Sequence, residues 1–505
     1  MIDKDRTFDL AKNHFLRGVS YMQEERWQEA ETEFRKSLEY MPDRVSTLTN
    51  LCAALIGQKK FDVAKALVDE TLELDSHNPE LILNKGVLFS EAGEFEKALD
   101  RFKEAINLKS DYAVAWNNLG VALKELNRYL EALDSYERAL EINPEYAEAW
   151  THRGNVLRGL KRHEEAIASY NRAIELRPNY AGAHYNKGLL QLQTYDFSAG
   201  FENYLWRWKT DGFPCAHPFT TLPHCESSAF VGSLLLWAEQ GIGDEIFYSS
   251  MLSQALDTFQ AITLSADRRL HTVFKRSFPG IEIIDRTTTA IAIPDLSFNM
   301  QAPIGNLGYI LGLNKKEIDS TRKPFLQPDL TIVAKLKINR PVPQKRIICG
   351  LSWKSANREF GKEKSIELSE LGPVLTVPEL SFVNLQYGDV TREIQDVNKL
   401  WNIDIHQEQG LDLYNDIEGL LALIYACDIV VTTSCLTAHL TGAIGKKGCV
   451  FVPFQKGKLW YWHINEKFST WYPCLRMFYQ ENSNDWEEPI KLAAEWLKVA
   501  SNLQR

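Results

Sequence analysis

Trp237-Ala238-Glu239-Gln240-Gly241-Ile242-Gly243-Asp244-Glu245 follows the first apolar run in the second half of this 505-residue chain. Glycines at 241 and 243 let the backbone turn sharply out of a strand, and a carboxylate stands directly after them. A strand, a Gly-rich turn and a helix, in that order, open a nucleotide-type α/β domain. The residues ahead of this turn obey a different rule, because residues 11–208 repeat in a 34-residue register. A repeat array is a grip and an α/β unit is a place for chemistry. Together they predict an enzyme that carries its own protein-binding arm.

With position 1 of each repeat at residues 11, 45, 79, 113, 147 and 181, position 8 reads Gly18, Cys52, Gly86, Gly120, Gly154 and Gly188. Position 20 reads Ala30, Ala64, Ala98, Ala132, Ala166 and Gly200, and position 24 reads Phe34, Val68, Phe102, Tyr136, Tyr170 and Tyr204. Pro42, Pro144 and Pro178 stand at position 32. This is the tetratricopeptide pattern. Small residues at 8 and 20 let two antiparallel helices approach, the aromatic at 24 is expected to fill the space between neighbouring pairs, and proline ends the second helix. Stacked pairs form a superhelix with a concave face. The sixth unit departs after Gly200, where Phe201–Trp208 is expected to cap the array.

Position 6 holds Leu16, Asn50, Asn84, Asn118, His152 and Asn186. An asparagine amide offers donor and acceptor together, so a row of them can clamp an extended peptide whatever its sequence. The row resembles the asparagine ladder of the O-linked N-acetylglucosamine transferases, which makes Asn50, Asn84, Asn118, His152 and Asn186 candidate acceptor-binding residues. Asparagine is also common at this repeat position, and that reading needs no ligand.

The totals narrow the function. Length allows roughly two to four domains. A hydrophobic content of 45% with 25% charge is ordinary for a globular protein. The net charge of −10 argues against general nucleic-acid binding, which needs a basic footprint. No basic-then-apolar leader opens the chain, and no apolar run approaches the ~20 residues that span a bilayer, so membrane insertion is not expected. Eight cysteines without CxxC pairs suggest neither disulfides nor zinc, and a cytoplasmic setting is the simplest expectation.

The helical period stops between Lys209 and Gly232, in a Pro-containing linker whose Cys215, His217, His224 and Cys225 match no zinc spacing. Strand candidates then follow at Leu234–Ala238, Ala261–Ser265 and Ile281–Ile284, and again at Arg346–Trp353, Ser381–Gln386, Asp428–Thr433 and Cys449–Pro453. Helices are expected at Glu245–Leu256, Arg268–Phe278, Leu368–Leu375, Ile417–Ala426 and Leu436–Ile444. Such alternation predicts two Rossmann-like lobes with a cleft between them. The expected division is an array over 1–208, a linker over 209–231, a first lobe over 232–340, a second over 341–482, and a final helix over 483–505 that crosses back onto the first lobe.

The stretch Cys427-Asp428-Ile429-Val430-Val431-Thr432-Thr433-Ser434-Cys435-Leu436-Thr437-Ala438-His439-Leu440-Thr441-Gly442-Ala443-Ile444-Gly445 resembles the donor-site signature of heptosyltransferase-like GT-B glycosyltransferases. It is most similar to the bacterial branch with tetratricopeptide repeats in front, which includes flagellin glycosyltransferases. Trp460-Tyr461-Trp462, Ser469-Thr470-Trp471-Tyr472-Pro473 and Asn384-Leu385-Gln386-Tyr387-Gly388 resemble the same branch. The resemblance implies an all-α solenoid followed by an α/β GT-B module, with the acceptor on the first lobe and a nucleotide-sugar on the second. It also implies a donor-side role for Gln386. Many relatives carry Asp-Thr where this chain has Ser434-Cys435, which leaves the donor open.

A phosphate site is also readable from the residues. A helix starting near Leu436 presents free backbone N–H groups, with hydroxyls of Ser434 and Thr437 and the imidazole of His439 beside them; the alternative is a helix capped by Ser434 over a packed histidine. Trp353-Lys354-Ser355 ends a strand where ligands bind in such folds, so Lys354 and Ser355 are donor-site candidates. Lys364-Ser365 matches a basic-Ser pair of the relatives, in a loop that also contains Arg358. Gly243-Asp244 matches the pair whose aspartate serves as base in heptosyltransferase-like enzymes, with Glu245 as fallback and Glu239 third. Asp244 can equally cap the helix that follows.

No Asp-x-Asp stands at a strand end, so the expected chemistry is metal-independent and inverting, with no cofactor besides the nucleotide-sugar substrate. The expected activity is transfer of a sugar to Ser or Thr of an acceptor protein held in the repeat groove, flagellin being the acceptor the resemblance implies. The alternative is a non-catalytic adaptor with a degenerate transferase half.

Overall fold

The computed structural model describes residues 4–210, 213, 221–230, 232–289, 298–320, 322–338, 347–357, 360–454, 457–463, 466–482 and 485–502. The chain forms two compact units, Met1–Asn186 and Lys187–Arg505.

The first unit is a ladder of helix pairs: Lys4–Gln23 with Trp27–Tyr40, Val45–Gly57 with Phe61–Leu74, Pro79–Glu91 with Phe95–Leu108, Ala113–Glu125 with Tyr129–Ile142, and Ala147–Gly159 with His163–Leu176. A Cβ added to Gly86, Gly120 or Gly154 would lie 2.5–2.6 Å from the ring of Phe102, Tyr136 or Tyr170. The aromatic at position 24 therefore closes against the glycine of its own repeat, and Tyr136 also packs on His152 of the next pair at 5.6 Å between ring centroids. The second repeat solves the same contact differently, with Cys52 and Val68 both fully buried.

One conformational rule was invisible in the sequence. Position 15 of every repeat lies in the left-handed region, at Glu25, Lys59, Gly93, Asn127, Lys161 and Tyr195, with φ between 57° and 74°. This residue turns the chain from the first helix of a pair into the second. Only glycine adopts it without steric cost, and asparagine with little.

The second unit begins inside the sixth repeat, earlier than the expected break at 208. The reason lies in what the end of that repeat packs on. Helix Phe197–Tyr204 and the 3-10 turn Leu205–Lys209 are sealed into the α/β part. The guanidinium of Arg207, with no exposed surface, donates to both carboxylate oxygens of Glu239 at 2.8 and 2.9 Å and to Asn306 Oδ1 at 2.7 Å. Hydroxyls of Tyr204 and Tyr248 meet at 3.0 Å. Glu239, the third-choice base, is thus an internal ion-pair partner.

Two parallel sheets follow. The smaller contains β1 (Ser233–Trp237), β2 (Ala261–Ala266), β3 (Ile281–Asp285) and β4 (Met300–Pro303), in the order β3-β2-β1-β4. The larger contains β5 (Ile347–Ser352), β6 (Leu380–Asn384), β7 (Ile405–His406), β8 (Ile429–Thr433), β9 (Gly448–Val452) and β10 (Leu475–Tyr479), in the order β10-β9-β8-β5-β6-β7. The strand order reverses between β5 and β8, and ligands bind such sheets at that switch point.

Three expectations need correction. Helix Leu330–Ile338, assigned to the first lobe, packs on Ile417–Ala426, and the backbone N–H groups of Phe325 and Leu326 donate to Ala443 O. The second lobe therefore begins near residue 323 and not at 341. The final helix, Glu487–Asn502, does not return to the first lobe: Trp486, Ile490 and Leu497 share a core with Leu351 and Phe451 of the larger sheet. The linker is partly strand-like, since Cys225 N donates to Gln301 O at 2.8 Å and so covers the outer edge of β4. Cys215 and His217 lie outside the described residues. Among the described residues no helix is long and apolar enough to cross a membrane.

Replacing Lys161 by glycine should stabilise the protein, because a left-handed non-glycine residue costs about 1 kcal/mol. Thermal unfolding should show a higher Tm for Lys161→Gly. An unchanged or lower Tm would mean that the Lys161 side chain compensates for its backbone.

Candidate functional site

The first wall of the site is the turn after β1. Gly241 is extended and helix Ile242–Ser249 starts three residues earlier than expected, which places Asp244 in its first turn. Asp244 Oδ2 accepts the Gly241 N–H at 3.2 Å, and Oδ1 accepts the Tyr461 hydroxyl at 3.0 Å. One oxygen therefore caps the helix and the other reaches across to the second lobe. Burial raises its pKa above the ordinary aspartate value, against the lowering effects of Tyr461, the Gly241 N–H and the charge of Lys364.

The facing wall comes from the carboxyl ends of β5 and β8. After Thr433, Ser434 is buried and Cys435 forms the N-cap of helix Leu436–Ala443, in extended conformation and with no side-chain cap. Ser434 is therefore not the cap. Its hydroxyl has no hydrogen-bond partner among the described residues, an unusual state for a buried polar group. Cys435 N already donates to Thr433 O and Ala438 N to Cys435 O, so the N–H groups of Leu436 and Thr437 are the ones left without an intrahelical acceptor at the positive end of the dipole. His439 Nδ1 lies 3.1 Å from the Tyr472 hydroxyl. Burial, then the charge of Lys364, lowers its pKa to about 3, so the imidazole is neutral. A Cβ on Gly243 would stand 3.2 Å from His439 Cδ2, a tight contact, so the glycine eases the close approach of the two helix tips.

Lys364 supplies the cation. It is buried, and no described carboxylate lies within ion-pair distance of its ammonium. Burial lowers its pKa, while Asp244 raises it. Gly243, Asp244, Ser355, Lys364, Ser434, Cys435 and His439 line one cleft of about 290 Å³. The Cys435 thiol sits 3.4 Å from Thr432 Oγ1 and 3.8 Å from Ser352 Oγ.

Other candidates are committed elsewhere. Lys354 pairs with Glu393 at 2.9 Å and Glu367 at 3.6 Å. Ser365 Oγ donates to Gly361 O and accepts from Ser355 N, which latches the loop. Gln386 Oε1 accepts from Ser352 Oγ and from the N–H groups of Trp353 and Lys354, so it shapes the end of β5 from within. Thr437 Oγ1 donates to Ser352 Oγ. The fallback base Glu245 is buried, accepts from Asp267 N at 2.8 Å and from Arg286 at 2.5 Å, and is pushed up by burial to about 7. None of these five lines the cleft. Arg358 lies outside the described residues.

The cleft also contains groups that sequence reading missed. Arg269, held by Asp267 through two contacts of 2.9 and 3.0 Å, lies over the Tyr414 ring at 5.2 Å, and Tyr387 meets Tyr414 edge-on at 5.6 Å. The position of Arg269 just beyond the carboxyl end of β2 was the available signal. Among the described residues no group of three or more side chains is arranged to hold a metal ion.

In the array the position-6 row is not uniformly free. Asn50 Nδ2 donates to Ser46 O within its own helix, and Asn84 Nδ2 to Thr49 O of the preceding repeat. His152 Nδ1 contacts Asn117 Oδ1 at 2.9 Å, and burial lowers its pKa to about 4. Asn118 and Asn186 are the half-exposed members with no such bond. The row is therefore uneven: Asn84 is used by the preceding repeat and Asn50 by its own helix.

Comparison with known proteins bears first on the array. Tetratricopeptide-repeat models match residues 11–44, 86–127, 113–146, 135–168 and 154–194. Protein FlbA of Caulobacter vibrioides is 32% identical over 282 residues, 52% of this chain and 46% of its own length. The chain thus spans about half of that curated relative. Among solved structures, pilF of Pseudomonas aeruginosa aligns with 19% identity and a TM-score of 0.35, over 41% of this chain and 92% of that one. A thermophilic tetratricopeptide-repeat protein of Thermus thermophilus aligns with 19% identity and a TM-score of 0.34, over 36% and 99%. The chain carries a tetratricopeptide-repeat array ahead of a parallel α/β region, and over half its length it is similar to Protein FlbA.

Proposed function

We propose that this protein is a glycosyltransferase that moves a sugar from a nucleotide-sugar to a protein hydroxyl. The observation that carries the reading is the convergence of Asp244, Lys364, Ser434 and the tip of helix 436–443 on one cleft. In this mechanism Asp244 removes the proton from an acceptor Ser or Thr as its oxygen attacks the anomeric carbon. The bond from that carbon to the donor phosphate breaks in the same displacement, with inversion. The departing phosphate meets the helix N–H groups, the Ser434 hydroxyl and the Lys364 ammonium, which together balance its charge without a metal. Neutral His439 donates from Nε2 when Tyr472 donates to its Nδ1.

Tetratricopeptide arrays bind protein partners, which supports a recruited protein acceptor. The sequence resemblance points to flagellin, and the cysteine usage to action in the cytoplasm. The uneven asparagine row leaves Asn118 and Asn186 as its amides open to a peptide.

A thermal-shift screen against CMP-, UDP-, GDP- and ADP-sugars should identify one donor class, since a ligand at ~100 times its Kd adds roughly 2.7 kcal/mol. With that donor, Asp244→Asn should lower transfer by about 10²- to 10⁴-fold while leaving the donor-induced shift intact. A normal shift with no transfer by the wild type would favour the adaptor reading, and undiminished transfer by Asp244→Asn would remove Asp244 from the mechanism.

The pH profile tests the same carboxylate. Transfer should fall on the acid side with a midpoint above the ordinary aspartate value, because only ionised Asp244 accepts the proton. The Tyr461 hydroxyl favours the ionised form, so Tyr461→Phe should move that limb to higher pH. An unmoved limb would uncouple the two residues.

Ser434→Ala removes a buried hydroxyl that has no partner among the described residues, so Tm should stay the same or rise, while donor affinity falls by about 1 kcal/mol. A clear loss of stability in the free protein would mean that the hydroxyl is structurally engaged.

A further inference from the structure

The second repeat departs from its neighbours at one pair of positions, beside a cavity. Where other repeats place Gly at position 8 and an aromatic at position 24, this one places Cys52 and Val68. Val68 is among the residues that line a cavity of about 210 Å³ between helix Phe61–Leu74 and helix Pro79–Glu91. Phe61, Leu88 and Phe89 supply apolar walls. That volume suits one large side chain. None of the position-6 residues lines it, so it is separate from the asparagine row.

The rim is acidic. Asp62, Asp69, Glu91 and Glu94 border the opening against Lys65 and Lys85. Lys85 is paired with Asp69, and Glu94 with Lys97. Asp62 and Glu91 are exposed, and neither belongs to those ion pairs. A ligand that inserts an apolar group here meets excess negative charge around it, and like charges on the ligand are repelled.

We propose that this pocket is an anchor site for a partner protein, which inserts one aromatic or large aliphatic side chain flanked by Lys or Arg. The site is independent of the sugar-transfer reading. It places a sequence-selective anchor on the array, separate from the position-6 row.

The probe is the peptide acetyl-Lys-Lys-Phe-Lys-Lys-amide, followed by ligand-observed NMR with the full-length protein. It should bind at least tenfold more tightly than the peptide with Ala in place of Phe and than acetyl-Glu-Glu-Phe-Glu-Glu-amide. The surface variant Asp62→Lys with Glu91→Lys should reverse the preference between the Lys and Glu peptides. Equal binding of the three peptides would overturn the proposal, and so would an unchanged preference in the surface variant.

Discussion

The site is built where two helix tips, one following each sheet, come into close contact at a residue without a side chain. Gly243 lies against the His439 ring, and any Cβ there would press into it. That contact brings Asp244 to the Tyr461 hydroxyl and faces it toward Lys364. A carboxylate taken out of water costs several kcal/mol unless donors and a cation offset the loss. Here a backbone N–H, a phenol and an ammonium share that task. The same burial keeps His439 neutral, which makes the imidazole a hydrogen-bonding group and not a charge.

A second constraint ties the end of the sixth repeat to β1. Arg207 and Glu239 are both without exposed surface, and the guanidinium is held by both carboxylate oxygens and Asn306. Such a pair fixes geometry more than it adds stability, since both charges are desolvated. Its neighbours show how tight the arrangement is. A Cβ on Gly305 would collide with the Glu239 carboxylate, and one on Gly308 with the Phe201 ring. The residues expected to cap the array are therefore part of the α/β unit, and the turn that contains Asp244 begins two residues after Glu239.

Much of this was legible from residue patterns. The repeat register follows from small residues and aromatics at fixed spacing, and the largely apolar runs of β1, β2, β8 and β9 mark them as buried parallel strands. The helix tip at 435–436 was placed from the strand that precedes it. Other elements gave weak signals. β4 is Met300-Gln301-Ala302-Pro303 and β10 contains Arg476, so neither reads as a continuous apolar run. β7 is two residues long. The left-handed turn at position 15 holds Glu, Lys, Gly, Asn, Lys and Tyr, a set without a common signature.

By itself the sequence determined what local chemistry determines: a periodic array, two alternating α/β segments, and a Gly-x-Gly-Asp turn after the first strand. Only the tertiary structure decided which polar groups face the cleft. Lys354 and Lys364 look alike in sequence, yet Lys354 is taken by Glu393, thirty-nine positions away, while Lys364 is left with Asp244 as its counter-charge. Glu245 follows Asp244 directly, but the helix turns it inward to Arg286 and the Asp267 N–H. Ser434 and Thr437 share one helix tip, and of the two only Thr437 finds a partner among the described residues, on β5. The physical reason is the same in each case. A polar side chain's role is set by the donor or acceptor that reaches it first, and in a fold of crossing strands that partner comes from a distant part of the chain.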